Sequence, residues 1–152
     1  MIKELVEISK LFIPVIAMVG IYIAYQQHRN SQDKLRLDLY EKRLEIYEAI
    51  NKAVISISWG TGELEAKDKV AFEEACDKSE FLFRYGLRTK IQDIRNSRHE
   101  YLEVKRKQER DVGDDEKMKV LYEKEDHLLL KFKHYQKTLR NDFSVYLQME
   151  RV

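Results

Sequence analysis

LFIPVIAMVGIYIAYQQ, residues 11–27, carries no charged side chain, and the reading of this run decides how the rest of the chain is organised. As a helix its 17 residues span roughly 25 Å, short for a bilayer core but sufficient. Leu5, Val6 and Ile8 extend the apolar surface toward the N-terminus, and Lys10 is near enough to the end to snorkel to the interface. Tyr22 and Tyr25 fall where the opposite headgroup layer favours amphipathic rings. A cleaved signal peptide fits less well, because Glu4 and Glu7 accompany Lys3 and no small-x-small site follows the run. A surface helix of a soluble core fits less well too, since a run apolar on every face has no stripe for water. The expectation is a transmembrane anchor over residues 1–28 and a cytoplasmic helical domain over residues 29–152 in a single-pass inner-membrane protein.

Orientation follows from the basic residues at the two ends. Lys3 and Lys10 precede the run, whereas Arg29, Lys34, Arg36, Lys42 and Arg43 follow it closely, which keeps the C-terminal part in the cytoplasm. Within the run Ala17, Gly20 and Ala24 fall on one narrow face, and Gly20 to Ala24 matches the small-xxx-small spacing that lets helix backbones approach. Self-association in the membrane, and hence a homo-oligomer, is expected from that face.

Past a break read at Arg29-Asn30-Ser31 the chain is strongly helical in pattern. Leu37, Tyr40, Leu44, Tyr47 and Val54 share one seven-residue repeat, and Leu39, Ile46, Ile50, Ala53 and Ile57 share a second. Two adjacent seams make one broad apolar face, which suits two neighbours in a bundle or one neighbour plus a second subunit. Trp59-Gly60-Thr61-Gly62 should end this helix. A second helix, from Glu63 or Asp68 to Tyr85, is expected to turn Val70, Ala71, Ala75, Phe81 and Leu82 inward, with Gly86 as C-cap. A third, Leu87 to about Arg110, has a thin stripe of Leu87, Ile91, Ile94, Arg98 and Tyr101. Asp111 to Asp114 reads as a turn, with Asp114 or Asp115 as N-cap. A last helix carries Met118, Leu121, Leu128, Phe132, Tyr135, Leu139 and Tyr146 in register, with Glu125 loosening the seam between Leu121 and Leu128. Gly is 5 and Pro is 1 among 152 residues, too few for turn-rich β structure. The expected fold is all-α, an N-terminal transmembrane helix followed by an antiparallel four-helix bundle.

Little in the sequence is chemical machinery. Lys plus Arg is 28 and Asp plus Glu 27, so no global field recruits nucleic acid or anionic lipid. Cys76 has no intramolecular disulfide partner, lies among Glu73, Glu74 and Asp77, and reads as a small buried apolar residue rather than a reactive thiol. His127 and His134 stand two helical turns, about 10 Å, apart, too far to share a zinc ion easily. No paired metal motif, nucleophile elbow, phosphate loop or dinucleotide fingerprint occurs, so the chain reads as a non-enzyme with no cofactor and no metal. Arg95-Asn96-Ser97-Arg98-His99 comes near the Arg-to-His signature of helical ribonucleases, which has four to six intervening residues where this chain has three. The third helix holds a local excess of cations. Arg88, Arg95, Arg98, His99, Lys105 and Arg106 form its candidate anion-binding set, able to meet a nucleotide, RNA or lipid phosphate with Tyr101 for stacking. The plainer reading is a basic helix balanced by the acidic stretch Glu63 to Glu80.

The stretch DKLRLDLYEKRLEIYEAI, residues 33–50, directly after a hydrophobic helix, resembles the opening of a widespread group of small, mostly uncharacterised bacterial single-pass membrane proteins. Phe81-Leu82-Phe83 and Phe143-Ser144-Val145-Tyr146-Leu147 resemble later landmarks of the same group, so the likeness covers most of the chain. These are packing motifs. The resemblance implies an anchored cytoplasmic bundle, and some similar proteins accompany antiviral systems, including CRISPR loci, as oligomeric membrane effectors. Two main readings of function follow, beside a ribonuclease resting on Arg95 and His99 as a third. One is a non-enzymatic, pore-forming or membrane-perturbing effector whose partners are membrane lipid, copies of itself and a defence-complex protein. The other is a membrane-tethered binding module for a nucleotide, RNA or protein partner.

Overall fold

Helix formers dominate this chain and only Gly60 and Gly62 of its five glycines fall close together, so the backbone folds as long helices with one tight turn between the first two. The computed structural model describes residues 2–110 and 115–148, and side chains from residue 15 onward. All regular structure among them is helical: α1 Ile2–Ser58, α2 Ala66–Leu82, α3 Tyr85–Arg110 and α4 Asp115–Leu147. The expected turn at residues 111–114 lies outside the described residues, as does Asp114 as N-cap. The chain divides into two compact units, Met1–Leu39 and Tyr40–Val152. The boundary read at residues 28 and 29 marks the end of the uncharged run and falls inside the first unit.

In the first unit α1 runs through Arg29-Asn30-Ser31 without interruption, contrary to the break expected there. No glycine or proline is present to stop it, and the polar side chains bond along the helix: Ser31 Oγ donates to the Gln27 carbonyl at 2.8 Å, and Gln32 lies 3.0 Å from His28 Nε2. The uncharged run and the first bundle helix therefore belong to one element. Every described side chain from Val15 to Tyr25 is exposed, with Ile21 at 71% and Ile16 at 68%. Among the described residues no helix is long and apolar enough to cross a membrane, and the fold that is established is all-α. The side chains of residues 11–14, which open the uncharged run, lie outside the described residues.

The second unit is an antiparallel four-helix bundle, and its cross-links give the directions. Tyr47 meets Phe143 and Arg43 meets Tyr146, which sets α1 against α4. Lys52 pairs with Asp68, setting the end of α1 beside the start of α2. Asp77 and Glu73 of α2 pair with Arg95 of α3, while Lys90 meets Asp142 and Lys105 meets Glu125 between α3 and α4. Buried positions follow three- and four-residue steps: Leu87, Ile91, Ile94, Arg98 and Tyr101 on α3, Leu128, Phe132, Tyr135, Leu139 and Phe143 on α4. From α1 come Ile46, Ile50, Ala53, Val54 and Ile57. Leu37 at the start of the first seam is exposed.

Three local expectations need correcting. The inward face of α2 is Phe72, Ala75, Cys76 and Ser79, not the one holding Val70 and Phe81. Phe81 lies nine residues from Phe72, about 180° around the helix, and is 88% exposed; Val70 and Ala71 are exposed as well. The helix also ends at Leu82, before Gly86. Phe83 turns extended (φ −127°, ψ 153°) and packs its ring against Phe143 and Tyr146, with centroids at 5.1 and 5.2 Å. Gly86 is then inside the first turn of α3. Glu125, finally, does not loosen the α4 seam: it is buried and accepts hydrogen bonds from Lys105 and Gln108, both at 2.7 Å.

The expected stop at Trp59-Gly60-Thr61-Gly62 is present. The amides of Gly60, Thr61 and Gly62 turn back onto the carbonyls of Ile57 and Ser56. Gly62 has φ +62°, and a Cβ there would lie 2.6 Å from a Tyr101 ring carbon, so only glycine fits. The Tyr101 hydroxyl donates to the Gly60 carbonyl at 3.1 Å, tying this turn to α3.

Candidate functional site

The six candidate residues of α3 do not converge on one site. A helix that packs between two neighbours sends side chains to both, and α3 sends Arg95, Arg98 and His99 toward α2 but Lys105 toward α4. Arg88 lies over the ring of Tyr85, 5.5 Å from its centroid. Arg106 is exposed. Lys105 is held by Glu125 and lies 6.0 Å from the Tyr101 centroid, so its charge is satisfied within the bundle.

On the α2 side the chemistry is closer. Arg95 Nη2 meets Glu73 at 2.7 Å and its Nη1 meets Asp77 at 2.9 Å. Burial opposes the charge on Arg95, but Glu73 and Asp77 outweigh it and hold its pKa above the ordinary value. The second oxygen of Glu73 lies 3.7 Å from Nε2 of His99, a contact that counts as an ion pair only when the imidazole is protonated. Arg95 is thus paired with two acids of the stretch Glu63 to Glu80. The residue types were legible; the partners Glu73 and Asp77 depend on how α2 and α3 align, which no spacing within either helix reveals.

Arg98 differs from the rest. It is 4% exposed, with its guanidinium 5.2 Å from the centroid of Phe72, and neither Nε nor Nη2 has a hydrogen-bond partner among the described residues. Burial lowers its pKa, and the nearby Glu73 offsets that only in part because both of its oxygens face Arg95 and His99. Cys76, on the buried face of the same helix as Phe72, has its thiol pushed up to about 12, first by burial and then by Glu73 and Asp77, with Arg95 and Arg98 opposing. Such a thiol is no nucleophile at neutral pH.

Two further polar clusters tie α3 to α4. Lys131 and Tyr135 both donate to Asp93, and Lys90 donates to Thr138 and Asp142. Burial pushes the Asp93 carboxyl up, but its bonds to Tyr135 and Lys131 prevail and it lies below the ordinary carboxylate range. Among the described residues no group of three or more His, Cys, Asp or Glu side chains is placed to hold a metal ion.

In the first unit the small-residue face Ala17, Gly20 and Ala24 is fully open, with nothing within 4 Å of the position a Gly20 side chain would take. Comparison of the chain with protein-family models, with curated proteins and with solved structures finds no match.

Proposed function

We propose that this chain is a non-enzymatic, membrane-anchored helical effector. Residues 11–27 insert in the inner membrane, the bundle lies on the cytoplasmic side, and copies associate through Ala17, Gly20 and Ala24 so that the clustered anchors perturb or open the bilayer. The observation that carries this reading is the exposure of an unbroken uncharged helical surface from Val15 to Tyr25, apolar on every side. Contiguous apolar surface of that kind is costly in water and calls for lipid or protein to cover it. Lipid covers all sides at once, whereas a protein partner covers one. Arg29, Lys34 and Arg36 immediately after the run support the cytoplasmic placement of the bundle. The resemblance of residues 33–50 to small anchored bacterial proteins supports the same arrangement and suggests a setting in antiviral, including CRISPR-associated, defence.

Mass in detergent and solute leakage from expressing cells test the reading together. Assemblies larger than a monomer and leakage that Gly20→Ile abolishes are expected; a monomer at every concentration in cells with intact membranes would end it. A second reading, a tethered binding module for a nucleotide, RNA or protein partner, draws on one observation, the buried Nε and Nη2 of Arg98 that have no hydrogen-bond partner among the described residues. The remaining cations toward α2 and α4 speak against a broad phosphate surface, since Arg95 and Lys105 are already paired.

A further inference from the structure

A guanidinium removed from water keeps its charge at a cost that an aligned anion or hydrogen-bond acceptors normally offset. Arg98 has neither on one entire edge. Its two unpartnered nitrogens, Nε and Nη2, are adjacent, and together they form the side-on fork that matches the two oxygens of a carboxylate or phosphate. Phe72 occupies the face of the guanidinium, which fixes its plane. The acid nearest in charge, Glu73, is turned away to Arg95 and His99. The bundle therefore holds a desolvated, bidentate donor with no acceptor supplied by the described residues.

We infer that Arg98 is the receptor for one oxyanion group of a small ligand, a phosphate or a carboxylate, bound between α2 and α3 with the Nε and Nη2 donors on two of its oxygens. The guanidinium nitrogens are covered in this conformation, so the ligand reaches them by displacement of α2. That helix is the element best suited to move. It is the shortest at 17 residues, its N-cap Glu65 makes no side-chain capping bond, and apart from Phe72 its buried side chains are the small Ala75, Cys76 and Ser79. Cys76 reports the movement, because its thiol is fully buried on the face that displacement would expose. The site belongs to the bundle alone and stands whether or not residues 11–27 insert in lipid.

The test uses the full chain in detergent, with inorganic phosphate, adenosine monophosphate and acetate as separate probes and chloride at matched ionic strength as control. Thermal unfolding of the bundle and the rate of Cys76 alkylation are read against probe concentration. A saturable rise in the unfolding midpoint, with alkylation changed at least threefold over the same range, is expected for at least one oxyanion and not for chloride. Arg98→Met should erase both responses, and Arg98→Lys, which keeps the charge but loses the fork, should move them to at least tenfold higher concentration. A nucleotide acting well below inorganic phosphate would identify a nucleotide ligand, and acetate matching phosphate would identify a carboxylate. A wild-type response no larger than that to chloride, or an equal response in Arg98→Met or Arg98→Lys, would overturn the assignment.

Discussion

Replacing Arg98 by methionine should make the bundle more stable, a result that a catalogue of lost contacts would not suggest. Arg98 leaves two buried nitrogens, Nε and Nη2, without acceptors among the described residues. Each buried unsatisfied polar group costs about 1–3 kcal/mol. Against this stands the contact with the Phe72 ring, about 2 kcal/mol for a desolvated cation over an aromatic face. Methionine has similar length, packs on the same ring and carries no charge to desolvate, so the net gain is about 0–4 kcal/mol, centred on about 2 kcal/mol. For a unit the size of Tyr40–Val152, that central value corresponds to a rise of roughly 4–10 °C in the unfolding midpoint. Near-ultraviolet circular dichroism of the full chain in detergent, without added oxyanions, reads it through the tyrosine and phenylalanine rings of the core. Arg98→Ala serves as the contrast, because it removes the charge but leaves a cavity beside Phe72 and should fall below Arg98→Met by about 2 kcal/mol. A loss of more than about 1 kcal/mol in Arg98→Met would mean that the guanidinium is engaged in an interaction absent from this account.

Gly62→Ala should cost about 2 kcal/mol or more in thermal melts, because φ +62° and the Tyr101 ring both oppose a side chain, whereas Gly86→Ala, in open space within α3, should be neutral or gain up to about 1 kcal/mol. Phe83→Ala should lose about 3–5 kcal/mol and Phe81→Ala almost nothing, a pair that tests the corrected register of α2 in one denaturation series. Burial opposes the ionised forms of Glu125 and Asp93, but their hydrogen bonds outweigh it and lower both pKa values. Their contribution is therefore present above the unfolded carboxylate pKa of about 4 and is lost as pH falls through the lower folded values, so stability should drop below about pH 4 and the drop should shrink in Glu125→Gln.

How far the fold can be read from residues depends on whether apolarity and burial coincide. On α3 they do: Leu87, Ile91, Ile94 and Tyr101 are large, spaced by three and four, and buried, and even Arg98 stands where the stripe places it. On α2 they part. Cys76 and Ser79 face the core and Phe81 faces out, because the helix packs closely through small side chains and its largest terminal ring is not needed inside. The end of α2 escaped the sequence for a tertiary reason: Phe83 leaves the helix to stack on Phe143 and Tyr146 before Gly86 is reached. The cation-rich character of α3 was legible. That Arg95 is paired while Nε and Nη2 of Arg98 are left without a partner among the described residues was not, since that depends on which turn of α2 lies opposite which turn of α3.

The central claim is that residues 11–27 reside in lipid with the bundle beneath them, and extraction of native membranes tests it most directly. Membranes from cells producing the full chain are washed with alkaline carbonate, and sealed inverted vesicles are treated with protease. The account predicts that the chain stays in the membrane pellet through the carbonate wash and that protease removes the bundle from inverted vesicles. Recovery of the intact chain in the carbonate supernatant, or a bundle protected in inverted vesicles and cleaved in right-side-out ones, would contradict it.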